Sequence, residues 1–426
     1  MLEHILGWLT LSLIFLFIIL KVKDPDILKI LVVAFALRAI LVILDQYFFA
    51  LPGGTLDAKG YVVKALNISN EYGLNILFNM FQHDGFFISR IISIFFTLTA
   101  KSEMMAQGIS VALGTASVYL VYQLSLLIWN KDASIKGAWI MSLHPSMILF
   151  SALVLKEAYA TFFLLLTLLP IIFLITKLNV TKFIKVKNKK NHLLNNNLFL
   201  ILFILSGFFI VKNIHGGLYV GIFILLIYLL GYLFKNELDN LKKGKITIVF
   251  IITLSIAIVL FIFWYFELVL IPYIPGPGEI LNLYDILIRR FNIGTISLLN
   301  GVYGSTFPSF AVPTNMIDFL PKVSARIIYF LYSPFPWDIK RYDHLLGLID
   351  SFIMIYLTIC AWNNRKVILG NPITKFLLIL LISYIVLYAI GTNNFGTAIR
   401  HKTKFFFILI FLAAPKLVKI SFVFKK

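Results

Sequence analysis

Cysteine is nearly missing from this chain of 426 residues: Cys360 stands alone within an apolar run. One thiol makes no internal disulfide and no cysteine metal cluster, which excludes a disulfide-stapled secreted domain, dithiol redox chemistry and a cysteine-type zinc site. Charge is scarce too, at 13% of residues against about 25% in an ordinary soluble domain. Acids are the rarer sign, 19 against 38 Lys and Arg, for a formal net charge of +19. No internal repeat is evident, which weighs against a transporter built from inverted repeats. The first apolar run lacks a basic leading region and a clear small-residue cleavage site, so it is expected to be a retained span and not a signal peptide.

What the chain has in excess is apolar surface, with 60% hydrophobic residues and a mean hydropathy of +0.93. A soluble globule cannot bury that much, so the bilayer is the expected solvent and nucleic-acid binding is excluded. Runs near 5–21, 27–50, 104–129, 136–153, 157–177, 197–212, 217–234, 246–270, 345–362, 373–391 and 403–418 predict an all-α polytopic membrane protein of about 11 transmembrane helices, one integral membrane domain over 1–426. The segment 84–99 is short and contains Arg90, so it is expected to lie in the interface without spanning.

The stretch 177–193 has six lysines and no acid, which assigns it to the cytoplasm. Counting spans outward from it, the inner segments hold 21 Lys and Arg against 5 Asp and Glu, a net of +16, and the outer ones 15 against 13, a net of +2. The positive charge is thus first a matter of topology. It implies an outer N-terminus, an inner C-terminus and, given the lysine-rich composition, a bacterial inner membrane. Two outer loops, 51–103 and 271–344, are long and rich in Phe, Tyr, Pro and Trp. Such loops are expected to be ordered and to carry any chemistry.

Several polar residues need an explanation. Arg38 lies inside the second span, where a lone guanidinium is costly unless held. Asp45 follows two helical turns later, about 10 Å along the same face, suited to lining a common polar groove. Pro52, Gly53 and Gly54 end that helix, and Asp57, Tyr61 and Ala65 then share one face of a short helix. Asp57 alone reads most simply as an N-cap. Glu157 follows Lys156 in a very tight outer turn between two spans, where helix capping and local charge pairing are the plain alternative. His144 and Pro145 lie deeper and read as a kink. Lys212 and His215 sit at an outer turn before two glycines, and Arg400, His401, Lys402 and Lys404 gather on the side that topology disfavours for bases. That last cluster reads as serving an anionic ligand. In the second loop, Tyr332, Phe335 and Trp337 suit an interfacial belt or sugar stacking, and no spacing selects among Asp285, Arg289, Arg290 and Asp338.

The order of these features resembles the GT-C superfamily of polytopic glycosyltransferases, in particular the protein O-mannosyltransferase and aminoarabinose-transferase type. Arg38 matches an arginine in the span before the first large outer loop, and Asp57, Tyr61 and Ala65 match an aspartate, a tyrosine and an alanine at four-residue steps. LHPSMILFSALVLKE resembles a proline-containing span ending in an outer glutamate, Glu157. GFFIVKNIHGG resembles a glycine and basic residue at an outer helix end, with Lys212 where arginine is commoner, and GTAIRHK resembles the basic motif before the last span. The likeness covers most of residues 27–415. An additional N-terminal span departs from it, as does the lack of a second acid beside Asp57, which leaves open whether a divalent metal takes part; no other cofactor is implied.

The resemblance implies transfer of a sugar from a polyprenyl-phosphate donor to a saccharide or lipid-linked glycan acceptor, outside the membrane, by single displacement at the anomeric carbon. Asp57 would be the base for the acceptor hydroxyl. Arg400, with Lys212 and His401, would hold the donor phosphate, and Glu157, Tyr61 and Arg38 would orient substrate. Two other classes compete: a polymerase or ligase of the O-antigen kind using Arg289, Arg290, Arg326 and Arg341, and a flippase or transporter for a lipid-linked saccharide.

Overall fold

The computed structural model describes residues 2–81, 85–179, 197–241, 305–311, 316–340 and 344–418. The segment 246–270, Asp285, Arg289, Arg290, Arg341, and most of the basic stretch 177–193 and of the loop 271–344 lie outside the described residues. Every element described is helical; no strand occurs among the described residues, and one isolated bridge joins Thr306 to Asn394.

The chain runs through α1 (Leu2–Lys21), α2 (Pro25–Tyr47), α3 (Lys59–Tyr72), α4 (Phe87–Leu98), α5 (Glu103–Ile128), α6 (Lys131–Leu143), α7 (Pro145–Ala152) and α8 (Lys156–Asn179). It continues in α9 (Asn197–Ile214), α10 (Val220–Leu241), α11 (Met316–Tyr332), α12 (His344–Asn363), α13 (Arg365–Gly370), α14 (Pro372–Gly391), α15 (Phe395–Thr403) and α16 (Phe407–Ala413). Of these, α1, α2, α5, α8 (Lys156–Thr176), α12 and α14 are long and apolar enough to cross a membrane by length and composition. That is six helices among the described residues, while the eleven runs read from hydropathy include 246–270, which lies outside them.

Proline accounts for one of the differences. The run 136–153 is divided into α6 and α7 because Pro145 removes a backbone donor and forces the preceding residue out of helix; His144 has φ −67° and ψ 120°. The expected kink is therefore a complete break. The run 403–418 is also discontinuous, and all of α16 is buried in the core, with every residue from Phe407 to Ala413 at most 6% exposed. Its carbonyls are met by side chains: Trp129 Nε1 donates to Phe411 O at 2.8 Å and Asn364 Nδ2 to Leu412 O at 3.0 Å.

Side-chain caps start four of the helices. Asp24 accepts from Asp26 N ahead of α2, Ser102 from Met105 N ahead of α5, Asn371 from Ile373 N ahead of α14 and Asn394 from Thr397 N ahead of α15. Around α8, buried along Leu164, Leu165, Leu168, Ile171, Ile172 and Ile175, pack α5, α7, α9 and α14. By contrast α1 is peripheral, with Leu9, Leu13, Phe17 and Leu20 more than half exposed. Against α5, α2 runs antiparallel in a register where Arg38 adjoins Gly114 and Asp45 binds Gln107, seven residues away on each helix.

The described residues of the loop 51–103 fold as short helices. With 12 residues, α4 extends only about 18 Å, too short for a bilayer core. It pairs with α3 through Ser89 Oγ to Tyr61 O at 2.9 Å and Ser69 with Thr97 at 2.9 Å.

Candidate active site

Three distant segments meet at one end of the bundle. The turn Gly54–Ala58 leads into α3 and carries Asp57; the first turn of α8 carries Glu157; α15 carries Arg400. The three-residue link Leu153–Leu155 between α7 and α8 is the tight turn expected, and it presents Glu157 inward, 2% exposed. Arg400 joins both acids: Nη1 lies 2.5 Å from Asp57 Oδ2 and Nε 3.0 Å from Glu157 Oε1. Asp57 is half exposed at its side chain and is not an N-cap; the residue capping α3 is Ala58, with no side-chain cap bond.

Electrostatics follow from this arrangement. Burial opposes the charge on Arg400, but Glu157 and Asp57 outweigh it and raise the guanidinium above its ordinary value. Tyr61 is pushed up to about 12, by burial first and then by the fields of Glu157 and Asp57. It stays a neutral phenol beside the acids, with Lys156 Nζ 5.5 Å from its ring centre.

A neutral aromatic wall adjoins the ion pairs. Tyr388 OH pairs with His215 Nδ1 at 2.8 Å, Thr392 Oγ1 with His401 Nδ1 at 3.1 Å, and the two imidazoles meet edge to face at 5.4 Å. Burial, then Lys404 and other nearby cations, depress both histidines to about 2, so neither is a cation at neutral pH. His401 therefore adjoins the site as a neutral hydrogen-bonding group. Gly217 allows the approach of Tyr388, whose hydroxyl would lie 2.8 Å from a Cβ placed there.

The basic cluster divides by helical phase. Arg400 and Lys404 share a face, and Lys404 Nζ, buried, lies 3.7 Å from Glu157 Oε1. Lys402 turns the other way, donating to Leu331 O at 3.0 Å and Ser333 O at 3.4 Å near buried Asp350. The expectation that all four bases serve one ligand is thus corrected. Lys404, not Lys212, is the second cation beside Glu157; Lys212 makes no ion pair with either acid and lies 5.6 Å from the Tyr219 ring centre. The i, i+4 spacing of Arg400 and Lys404 was the signal in the sequence that selects Lys404.

Other candidates are engaged elsewhere. Arg38 is inside the bundle on Ser151 and does not reach the cluster; Asp45, on the same face, is bound separately by Gln107 and by Leu51 N. Arg326 caps the C-terminal end of α14 through Ala389 O, Ile390 O, Thr392 O and Asn393 Oδ1. Asp338 closes a local turn on Phe335 N at 2.9 Å. Among the described residues, no group of three or more His, Cys, Asp or Glu is disposed to hold a metal ion.

Two features fit a ligand site. Glu157 Oε2 is buried without a hydrogen-bond partner, an acceptor left open beside the ion pairs. Arg400 is one-third exposed at its side chain, so an anion can compete for it from outside. No family model matches the chain, and neither a curated protein nor a solved structure is significantly similar to it.

Proposed function

We propose that this is a membrane glycosyltransferase that moves a sugar from a polyprenyl-phosphate donor to a saccharide or lipid-linked glycan acceptor during cell-surface polysaccharide synthesis. The observation that carries the reading is the guanidinium of Arg400 bridging Asp57 and Glu157, which combines a base, an anion holder and a buried acceptor in one cluster. The motif order that resembles the GT-C superfamily gives the substrate class.

In this reading the chain crosses a plasma membrane about 11 times, counting broken and shorter apolar segments as spans, with the cluster outside, the N-terminus outside and the C-terminus inside. The concentration of Lys and Arg in the short inner segments supports that orientation. The six long apolar helices are compatible with it.

The chemistry is one displacement. The acceptor oxygen forms a bond to the anomeric carbon as the bond from that carbon to the phosphate oxygen breaks, with inversion. Asp57 takes the hydroxyl proton late, when the attacking oxygen has become acidic. The donor phosphate competes with Asp57 for Arg400, so donor binding itself frees the base. Arg400 and Lys404 offset the charge growing on the leaving phosphate. Glu157 Oε2 accepts from a second hydroxyl of the acceptor and orients it.

The test compares lipid-linked and surface glycans by mass in cells carrying the wild-type chain or Asp57→Asn at matched membrane levels. The expected result is a glycan lacking one sugar while the lipid-linked monosaccharide persists. Collapse of chain length would indicate a polymerase, and an unchanged glycan would remove Asp57 as the base.

A further inference from the structure

A second polar cluster is buried where α12 and α15 pack on α7 and on α11. Asp350 of α12 and Lys402 of α15 are both enclosed there. Asp350 accepts from Ser146 N at 3.3 Å and from the Ser146 hydroxyl, and His144 Nδ1 lies 3.4 Å from its Oδ1. Lys402 Nζ donates to Leu331 O and Ser333 O at the C-terminal end of α11. Among the described residues, Asp350 is the one acid whose field reaches Lys402, and Lys402 the one cation whose field reaches Asp350. The two together leave the junction without net charge.

These bonds grip the two elements that carry the site. Eight residues long, α7 is held at its first turn by Asp350, and the three-residue link after its last turn delivers Glu157. On α15, Lys402 is two positions past Arg400, about 200° round the helix. The anchored face of α15 therefore turns the opposite face, with Arg400, toward Glu157. There is little slack between the helices. A Cβ at Gly347, one turn before Asp350 on α12, would lie 2.6 Å from Ile399 Cδ1 and 2.9 Å from Pro334 Cδ.

We infer that Asp350 and Lys402 are positioning residues for the candidate site: they fix the start of α7 and the far face of α15, and so set Arg400 against Glu157. Neither bonds to Asp57, Glu157 or Arg400, so both act through the helices. Arg400 must keep Nε on the buried acid while Nη1 exchanges Asp57 for an incoming anion. Displacing α15 by about 1 Å disturbs that division, and misplacement on this scale costs up to about a hundredfold in rate. The effect on transfer rests on the glycosyltransferase reading; the fixing of Arg400 does not.

The experiment follows modification of Arg400 by phenylglyoxal, an arginine-selective dicarbonyl, in the purified full chain in detergent, read by peptide mass. Arg38 and Arg326, at most 1% exposed, serve as internal controls. In Lys402→Met and in the double variant Asp350→Asn, Lys402→Met, Arg400 is expected to react about tenfold faster than in the wild-type chain, while the controls stay protected. The double variant strands no charge, so its thermal midpoint should lie above that of Lys402→Met, and it decides the matter if the single variant does not fold. Unchanged Arg400 reactivity in the double variant, or a rise shared by Arg38 and Arg326, overturns the inference. In membrane vesicles the double variant should lose at least about tenfold in kcat. A wild-type kcat alongside faster Arg400 modification overturns the role in transfer. A wild-type chain that transfers no sugar, with Arg400 modified as expected, removes the transferase reading and leaves the positioning role standing.

Discussion

Arg400 and Asp57 are 343 positions apart in the chain and 2.5 Å apart in space. The pair is half open to solvent, whereas the second partner of the same guanidinium, Glu157, is enclosed. Arg400 is thus anchored by the buried acid and exchangeable at the exposed one. Arg400→Lys keeps a charge but loses the fork that engages two partners. We expect a fall of about a hundredfold in sugar transfer, measured in membrane vesicles supplied with polyprenyl-phosphate sugar, with little loss of folded protein.

Glu157 and Lys404 are both 2% exposed, so removing Glu157 leaves the Lys404 charge stranded. Glu157→Gln is expected to destabilise by about 3 kcal/mol. The double variant Glu157→Gln, Lys404→Met should recover at least half of that loss, read from thermal unfolding midpoints of the purified protein. Additive losses would mean that the two charges do not depend on each other.

For Arg326 the expectation concerns stability and not transfer. Its donors cover the last carbonyls of α14, including Thr392 O at 2.7 Å and Ile390 O at 2.9 Å. Arg326→Ala should cost about 3 kcal/mol by leaving buried acceptors bare. At permissive temperature it should leave the composition of the glycan unchanged, as seen by mass. A specific loss of glycan polymer length in this variant would restore Arg326 as a substrate-binding loop arginine.

Acid should loosen the protein through the imidazole pair. His215 and His401 are depressed to about 2 in the fold, against an ordinary value of 6.5. The unfolded chain therefore takes up protons first, and stability falls as pH drops below about 6.5, by up to about 1.4 kcal/mol per pH unit for each imidazole. Midpoints measured from about pH 7.5 to about 5.5 should decline. They should decline less steeply in the His215→Gln, His401→Gln variant.

The sequence carried the helical class, the long apolar helices, the short loop helices and the position of the break at Pro145, because hydropathy and proline act locally. It also brought Asp57, Glu157 and Arg400 forward, since charged residues at the ends of apolar runs are anomalies visible along one dimension. What it did not carry was pairing. Lys402 and Lys404 are two residues apart and read alike, yet one faces Leu331 and Ser333 and the other Glu157. Lys212, chosen by motif, faces Tyr219. Asp350, within α12, accepts from Ser146 N where α7 begins, a cap supplied from another helix. Partner choice depends on helical phase and on which helices adjoin, and neither is written in any single segment.

The assembly of the cluster from residues 57, 157 and 400 also sets a timetable. A ribosome delivers both carboxylates long before the guanidinium that joins them. Until α15 emerges, Glu157 has neither Arg400 nor Lys404, and the nascent bundle holds an acid facing its own interior. A product truncated ahead of position 400 would keep that mismatch. The interior charge of Glu157 is therefore balanced only by the last part of the chain to be made.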